Sequence, residues 1–525
     1  MATALDQIKT AAVAATLGSL SAACVACFAL AILAKQNGTQ LVAALGYVWT
    51  YPISVWPSAL QLWTLATPAV IGLTISALFY SALRGLRWTF GQRKLASAEA
   101  FDKMLSKSTI NGTRIFAGTF GNKRFFTSIE DRALVIGPPG TGKTTFLFNQ
   151  LLRSTKIGLS FVAVDLKPEL HKIMAPSLEK AGYRVLRINP AKADSGADHW
   201  NPLSDITDET ELTELCASLL PIRDAKEAPF IEAQRDWLKA AVFHITSTPG
   251  GSLPTAFNLM SEHSDPMKLL DVLGRSTNHT AARLARRIAA GLAGGKPDPL
   301  ILQGLTGALR GLDYLSLPGV QDALGHSDFS ARELGKGSQP TALFLQFEEA
   351  KINALGPLLA FLATSVLTTL IDTAGDREPV ALFLDELGNM PPIPNLPEKL
   401  NTIRSREIPT WMYFQTAEQM DRRYGQNADS LFFAAADFQM VFRLNEATTQ
   451  KLISTLIGKT EREKFSHSKN GEQGSTTSSH EKVDVIEPWQ LGELTPGEVV
   501  VLYKGAKAKG RATPHYKDFP EFKRK

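Results

Sequence analysis

Cysteine is scarce in this chain, with three in 525 residues. Cys24 and Cys27 fall in an apolar run and Cys216 in a helix-like stretch, which excludes a disulfide framework or a cysteine zinc site and suits a reducing cytoplasm for the bulk of the chain. The Cys24/Cys27 pair has redox-motif spacing, but inside a run of lipid length it reads as packing. A large excess of one charge is also missing: 56 Lys and Arg against 51 Asp and Glu leave +5, so any surface for nucleic acid must be local. Charge is absent altogether from residues 11–34 and 59–83, each long enough to cross about 30 Å of hydrocarbon as a helix. A cleaved signal peptide would account for the first run alone, whereas a second of similar length argues for a two-span hairpin. Between them stands the single charge Lys35, with Trp49, Tyr51 and Trp56 as interface anchors, while Arg84, Arg87, Arg93 and Lys94 crowd the second exit. The positive-inside bias then predicts a membrane anchor over residues 1–94 with both termini cytoplasmic. No ionisable residue interrupts either run, which leaves a primary transporter without a substrate route.

What is present is more specific. "GPPGTGKT", residues 137 to 144, follows the apolar run "RALVI" and precedes "TFLFNQLL". It fits the phosphate-loop pattern, in which glycines let the backbone turn its N–H groups inward and the next helix adds its positive N-terminal dipole. Gly137, Pro138, Pro139, Gly140, Thr141, Gly142, Lys143, Thr144 and Thr145 are the expected nucleotide-binding residues, with Lys143 reaching the β and γ phosphates and the Thr144 hydroxyl on a magnesium ion. A plain glycine-rich turn before a helix would look similar, but the strand upstream and the helix downstream favour ATP with Mg2+. Hydrolysis needs a second set of groups, and "PVALFLDE" supplies an apolar strand ending in Asp385 and Glu386. Strand-end side chains reach the ligand edge of an open α/β sheet, so Asp385 is expected to hold magnesium through water and Glu386 to orient or deprotonate the attacking water. The pair could otherwise open a helix. A third strand, "PTWMYFQT", ends near Gln415, either a γ-phosphate sensor or a solvated loop residue.

Strand and helix alternate from about residue 133, which predicts a doubly wound, mostly parallel sheet. Residues 208–335 carry helical patterns and no convincing strand, so they read as an all-helical domain inserted between the two parts of the nucleotide-binding domain, 95–207 and 336–525. Within it, Arg283, Arg286 and Arg287 share a helix face that can meet phosphate backbones without reading sequence or can simply face water. The polar stretch "SHSKNGEQGSTTSSHEK" reads as a mobile loop, its His467 and His480 solvated rather than metal-bound, ahead of a terminal hairpin joining "KVDVIEP" to "GEVVVLYKG".

With the two-span anchor, the phosphate loop, "VAVDLKPEL", "HWNPL", "FLDELGNMPPIPNLPEKLNTIRSREIP", "YFQTAEQMDRRYG" and the closing "LTPGEVVVLYKG" and "HYKDFPEF", the chain resembles the type IV secretion coupling proteins of bacterial conjugation over nearly its whole length. The resemblance implies a RecA-like P-loop ATPase, a homo-hexamer that hands relaxase-bound DNA to the secretion channel. Its partners would be single- or double-stranded DNA without sequence specificity, relaxosome proteins and channel components. The resemblance makes Lys143 and Thr144 the phosphate pair, Asp385 and Glu386 the hydrolysis pair and Gln415 the γ-phosphate sensor, and it points to Arg404 as a finger acting on the neighbouring subunit. Arg404 could instead cap its own helix. The short loop between the spans and the early stop after "HYKDFPEFKRK" depart from some relatives. A docking receptor, switched by nucleotide and moving no DNA itself, is the alternative.

Overall fold

The structure is a computed structural model that describes residues 95, 114–120, 123–193, 195–222, 224–263, 265–293, 297–470 and 473–520. The expected spans at 11–34 and 59–83, with Cys24 and Cys27, lie outside these residues. The described residues fall into two compact units, 459–485 and the remainder.

The larger unit is built on one eleven-stranded sheet. In chain order its strands are β1 (Arg114–Phe120), β2 (Lys123–Ser128), β3 (Ala133–Ile136), β4 (Ser160–Asp165), β5 (Arg184–Ile188), β6 (Thr341–Gln346), β7 (Val380–Leu384), β8 (Thr410–Phe414) and β9 (Phe438–Val441). After β10 and β11, described below, come β12 (Glu498–Tyr503) and β13 (Ala506–Arg511). Their spatial order is β2-β1-β13-β12-β9-β3-β8-β7-β4-β6-β5. Seven neighbours, β9 through β5, run parallel, and the other four add an antiparallel edge. Strands β3, β4, β6, β7 and β8 are buried at every position. This is why their sequences are continuous apolar runs rather than alternating ones: helices cover both faces of a parallel sheet.

Helix α1 (Lys143–Ser154) follows β3, and α2 (Leu170–Lys180) follows β4. Seven α-helices then run from Glu209 to Gly325: α3 (Glu209–Leu219), α4 (Ala228–Thr246), α5 (Leu253–Glu262), α6 (Pro266–Gly274), α7 (His279–Leu292), α8 (Pro299–Gly311) and α9 (Pro318–Gly325). Their starts are written locally. Asp208, Ser252, Asp265, Asn278 and Asp298 each accept a hydrogen bond from a first-turn N–H, satisfying a donor that the helix itself leaves orphaned.

Between β6 and β7 lies α10 (Ile352–Asp372), buried without a break from Leu355 to Leu370. With a mean hydropathy of 1.9 it is long and apolar enough to cross a membrane, yet it is packed inside the α/β unit as a core helix. The hydroxyls of Thr364 and Ser365 donate to the carbonyls of Ala360 and Phe361, one turn back, so they are buried without cost from unmet donors. Four short helices complete the unit: α11 (Leu396–Ile403), α12 (Glu418–Tyr424), α13 (Ala428–Ala435) and α14 (Ala447–Ile457), with α15 (His515–Asp518) near the C-terminus.

Two expectations are corrected. "KVDVIEP" does not pair with "GEVVVLYKG"; β12 pairs with β13 across Lys504 and Gly505, which both have positive φ, 46° and 83°. That is the two-residue turn whose twist suits a hairpin, hidden in the sequence by a lysine where Asn or Asp is usual. The stretch expected to be a mobile loop forms β10 (Lys459–Asn470) and β11 (Gln473–Asp484), an antiparallel ribbon in unbroken register from Lys459/Asp484 to Asn470/Gln473. Pairing of this kind uses only backbone N–H and C=O groups, so polar composition does not prevent it. Strands β1 and β2 had no counterpart in the sequence reading.

Candidate nucleotide site

Residues 137–142 connect the end of β3 to the start of α1. The loop is anchored by Gly137 N–H donating to the Phe414 carbonyl at 3.1 Å, where β8 ends. Gly137 must be glycine for space, since an added Cβ would lie 2.6 Å from Cβ of Phe442. Gly142 must be glycine for conformation, at φ 106° on the N-cap of α1. The hydroxyls of Thr141 and Thr145 donate to the Pro138 and Gly142 carbonyls, at 2.8 and 2.7 Å. Thr144 is half-buried, Pro138 is half-buried, and Pro139 and Gly140 are exposed. The Lys143 ammonium folds back on the loop, donating to the carbonyl of Gly137 and to that of Pro138 at 3.3 Å. It is 4% exposed, and burial pulls its pKa below the usual lysine value although Glu386 and Asp385 pull the other way.

The sheet order explains why distant segments meet here. Strand β8 lies between β3 and β7, with Phe414 opposite Ile136 and Met412 opposite Leu384. The C-terminal ends of three adjacent parallel strands therefore present the loop, Gln415 and the Asp385–Glu386 pair along one edge. Asp385 and Glu386 are 6% and 5% exposed. Burial, then the Glu386 charge, raises the Asp385 pKa to about 7 against the relief from Lys143 and Lys167. Glu386 sits at φ 52°, a left-handed conformation that costs a non-glycine residue about 1–2 kcal/mol. Its Oε2 accepts from Nε2 of Gln415 at 2.8 Å and from Nδ2 of Asn389 at 3.2 Å, and its Oε1 lies 3.7 Å from the Lys167 ammonium. Gln415 is therefore joined to the acidic pair and is no loose loop residue. Gln419 accepts from its N–H at 2.9 Å, and close approach of Gln419 to Gly388 leaves no room for a side chain there.

Lys167 and Asn389 were missed in the sequence. The same strand-end rule that marked Asp385 and Gln415 applies to β4, whose last residue Asp165 is fully buried with Lys167 two positions beyond. Asp165 accepts from the N–H groups of Leu170 and His171, and from Nε2 of Gln346. Burial, partly offset by those bonds, lifts its pKa to about 6.

The remaining predicted residues stand apart from this edge. Arg404 follows α11 in a 3-10 turn, Arg404–Arg406, and is exposed. Among the described residues its side chain makes no hydrogen bond or ion pair, so it does not tie down the carbonyls of its own helix. Arg283, Arg286 and Arg287 are exposed on α7. Arg287 pairs with Asp236 at 2.6 Å, and Nε of Arg286 donates to the Ala282 carbonyl.

The residues fit a magnesium nucleotide. The loop turns through positive φ at Gly140 and Gly142, and a Cβ on Gly140 would meet nothing within 4 Å. Among the described residues the Asp385 carboxylate accepts one hydrogen bond, from the Glu386 N–H at 3.1 Å. A buried carboxylate so short of donors is suited to a hydrated cation.

Comparison with known proteins agrees with this geometry. The solved structure of the bacterial conjugative coupling protein TrwBdeltaN70, unbound, matches at a TM-score of 0.63 and 18% identity, covering 80% of this chain and 92% of that one. TrwB in complex with the ATP analogue ADPNP and TrwB in complex with ADP and Mg2+ each match at 0.64 and 18%, covering 81% of this chain and 94% of theirs. At that identity the likeness speaks to the fold, an α/β P-loop NTPase. Protein VirD4 of Agrobacterium fabrum is 23% identical over 410 residues, 74% of this chain and 60% of that protein. Protein VirD4 of Rhizobium radiobacter is 22% identical over 340 residues, 63% and 48% of the two chains. The chain thus spans about half to three-fifths of these relatives' length. Residues 91–524 match the family described as type IV secretory system conjugative DNA transfer, and the chain belongs to that family.

Proposed function

We propose that this protein is an inner-membrane coupling ATPase that links relaxase-bound DNA to a type IV secretion channel and drives its transfer by hydrolysing ATP. The observation that carries the reading is the meeting of Lys143, Asp385, Glu386 and Gln415 at one edge of the parallel sheet, from segments more than 200 residues apart in a 525-residue chain. Family membership and the likeness to nucleotide-bound TrwB support it.

In this mechanism Lys143 leaves the Gly137 and Pro138 carbonyls to meet the β and γ phosphates, exchanging neutral acceptors for charged ones. Thr144 and Asp385 would hold Mg2+, which when bound would neutralise the negative charge that develops on the phosphates. Asp385 must be ionised for that role, and the Lys143 and Lys167 charges favour it. Glu386, held by Asn389 and Gln415, orients the attacking water. The Gln415 amide, bonded to Glu386, would pass on whether a γ-phosphate is present. Arg404, exposed after α11, would reach the neighbouring subunit of a hexamer, where a cation supplied in trans stabilises the transferring phosphoryl group. Residues 11–34 and 59–83 would anchor the ring with both termini cytoplasmic. DNA would be met through phosphates, without sequence specificity, on helical-domain surfaces such as the Arg283 face.

The test is the ATP hydrolysis rate of the full-length protein in detergent, with and without single-stranded DNA, with Lys143→Ala as the blank. DNA-stimulated turnover that vanishes in the blank is expected. Robust Lys143-dependent turnover indifferent to DNA would overturn the motor reading in favour of a nucleotide-switched docking receptor.

A further inference from the structure

Two segments join the helical block to the sheet, one leaving β5 and one returning to β6, and they cross at "HWNPL". His199 N–H donates to Asp328 Oδ2, and Asp328 N–H donates to the His199 carbonyl, both at 2.9 Å. Trp200 N–H donates to the Ala323 carbonyl, and Asn201 N–H to the Ser327 hydroxyl. On the inner side Trp200 stacks on Phe329 and donates to the buried Asp205, which also accepts from Ser330 and Ala331. This crossing is closed by hydrogen bonds and apolar stacking.

Its outer side is chemically different. The His199 and His326 rings stack with centroids 4.1 Å apart. Nδ1 of His199 is 2.6 Å from Asp328 Oδ2, Nε2 of His326 is 3.9 Å from Asp328 Oδ1, and Nε2 of His199 is 3.4 Å from Asp322 Oδ1. One donor atom from each of His199, His326 and Asp328 lies within 4.8 Å of the others.

Asp322 carries the argument further. With Nε2 of His199 donating to Asp322, its Nδ1 lone pair faces the Asp328 carboxylate, and an outward turn of that carboxylate from its present 2.6 Å opens room for an ion bound to both. A ligating imidazole whose other nitrogen is held by a carboxylate is the usual outer arrangement of protein metal sites. Two imidazoles and a carboxylate suit a borderline divalent ion of the zinc class rather than magnesium. His326 is 62% exposed, free to turn its ring into a shared coordination sphere.

We propose that His199, His326 and Asp328 bind a zinc-class divalent ion, oriented by Asp322, that staples the outgoing and returning segments of the helical block. The site lies apart from the Asp385 edge, takes a different class of ion, and would fasten the joint through which the helical block is attached.

The experiment is calorimetric titration of Zn2+ into tag-free, chelator-treated full-length protein in detergent, with melting curves in parallel. Wild type should bind one ion with micromolar or tighter affinity and melt several degrees higher when saturated, with millimolar Mg2+ failing to compete. His326→Phe keeps a stacking ring without a donor, and should fold normally while losing the ion and the melting shift. Asp322→Asn should weaken binding about 10- to 100-fold. Absence of Zn2+ binding in wild type, or wild-type binding in His326→Phe, would overturn the proposal.

Discussion

The two halves of the central sheet are made of similar strands but solve different problems. In the parallel half the strands end together on one edge and leave charged groups there under strain: Asp385 is lifted to about 7, Lys143 is pulled down, and Glu386 takes a left-handed backbone. In the antiparallel half the buried charges are satisfied. Asp131, 2% exposed, accepts from Ser128 N–H and the Tyr503 hydroxyl and pairs with Lys504. Asp518 receives Arg153, Asn149 and Arg124 against the back of α1. A parallel sheet gathers strand ends, so it concentrates polar groups that need a ligand. An antiparallel one turns its chain back on itself and can complete every partnership internally.

That contrast can be tested by substitution on each side. The largest effect is expected from Lys143→Ala and Glu386→Gln, which should lower ATP turnover about 100- to 1000-fold while melting temperature holds or rises. Glu386→Gln should still bind nucleotide, as read by fluorescent-analogue titration. Loss of fold in either variant would erase the distinction. Arg404→Ala should cut turnover tenfold or more with nucleotide affinity and melting unchanged, because among the described residues its side chain bonds to nothing in its own chain. On the antiparallel side Tyr503→Phe should do the reverse, losing about 1–3 kcal/mol of stability in denaturant melts by leaving a buried carboxylate short of a donor, with turnover per folded molecule unchanged.

The smallest effect is in pH. A carboxylic acid whose folded pKa is raised contributes stability that is full below its ordinary value and lost as pH rises through the folded one. The melting temperature of nucleotide-free wild type should therefore rise relative to that of Asp385→Asn as pH falls from 8 to 6. Asp518 is shifted downward by Arg153 and Asn149 despite burial. Its contribution persists through that window and fades only in acid below the ordinary aspartate range, so Asp518→Asn should show no such trend between pH 8 and 6.

The parallel half was also the legible half. Continuous apolar runs closing on Asp385 and Gln415 announce both the strand and the direction of its last side chain, so the meeting of Lys143, Asp385, Glu386 and Gln415 could be read from the order of elements. Lys167 escaped because Leu166 stands between the strand end at Asp165 and the lysine, and the rule was applied only to the last position. The antiparallel edge was less readable. Its pairing depends on a Lys504–Gly505 turn and on residues 114–128 meeting residues 506–511, with no local pattern naming the partner. "HWNPL" stood out as a family marker, but the crossing it forms is visible only once residues 199 and 328 are adjacent.

The position of β3 has a consequence for biosynthesis. The strand that carries the phosphate loop is flanked by β8 and β9, which emerge from the ribosome about 270 to 300 residues later. At roughly 5–20 residues per second, a nascent chain would wait about a quarter of a minute to a minute between making its nucleotide loop and acquiring the neighbours that hold it. Products terminated before residue 385 would carry the loop without Asp385 or Gln415, and so without the groups that the proposed hydrolysis needs.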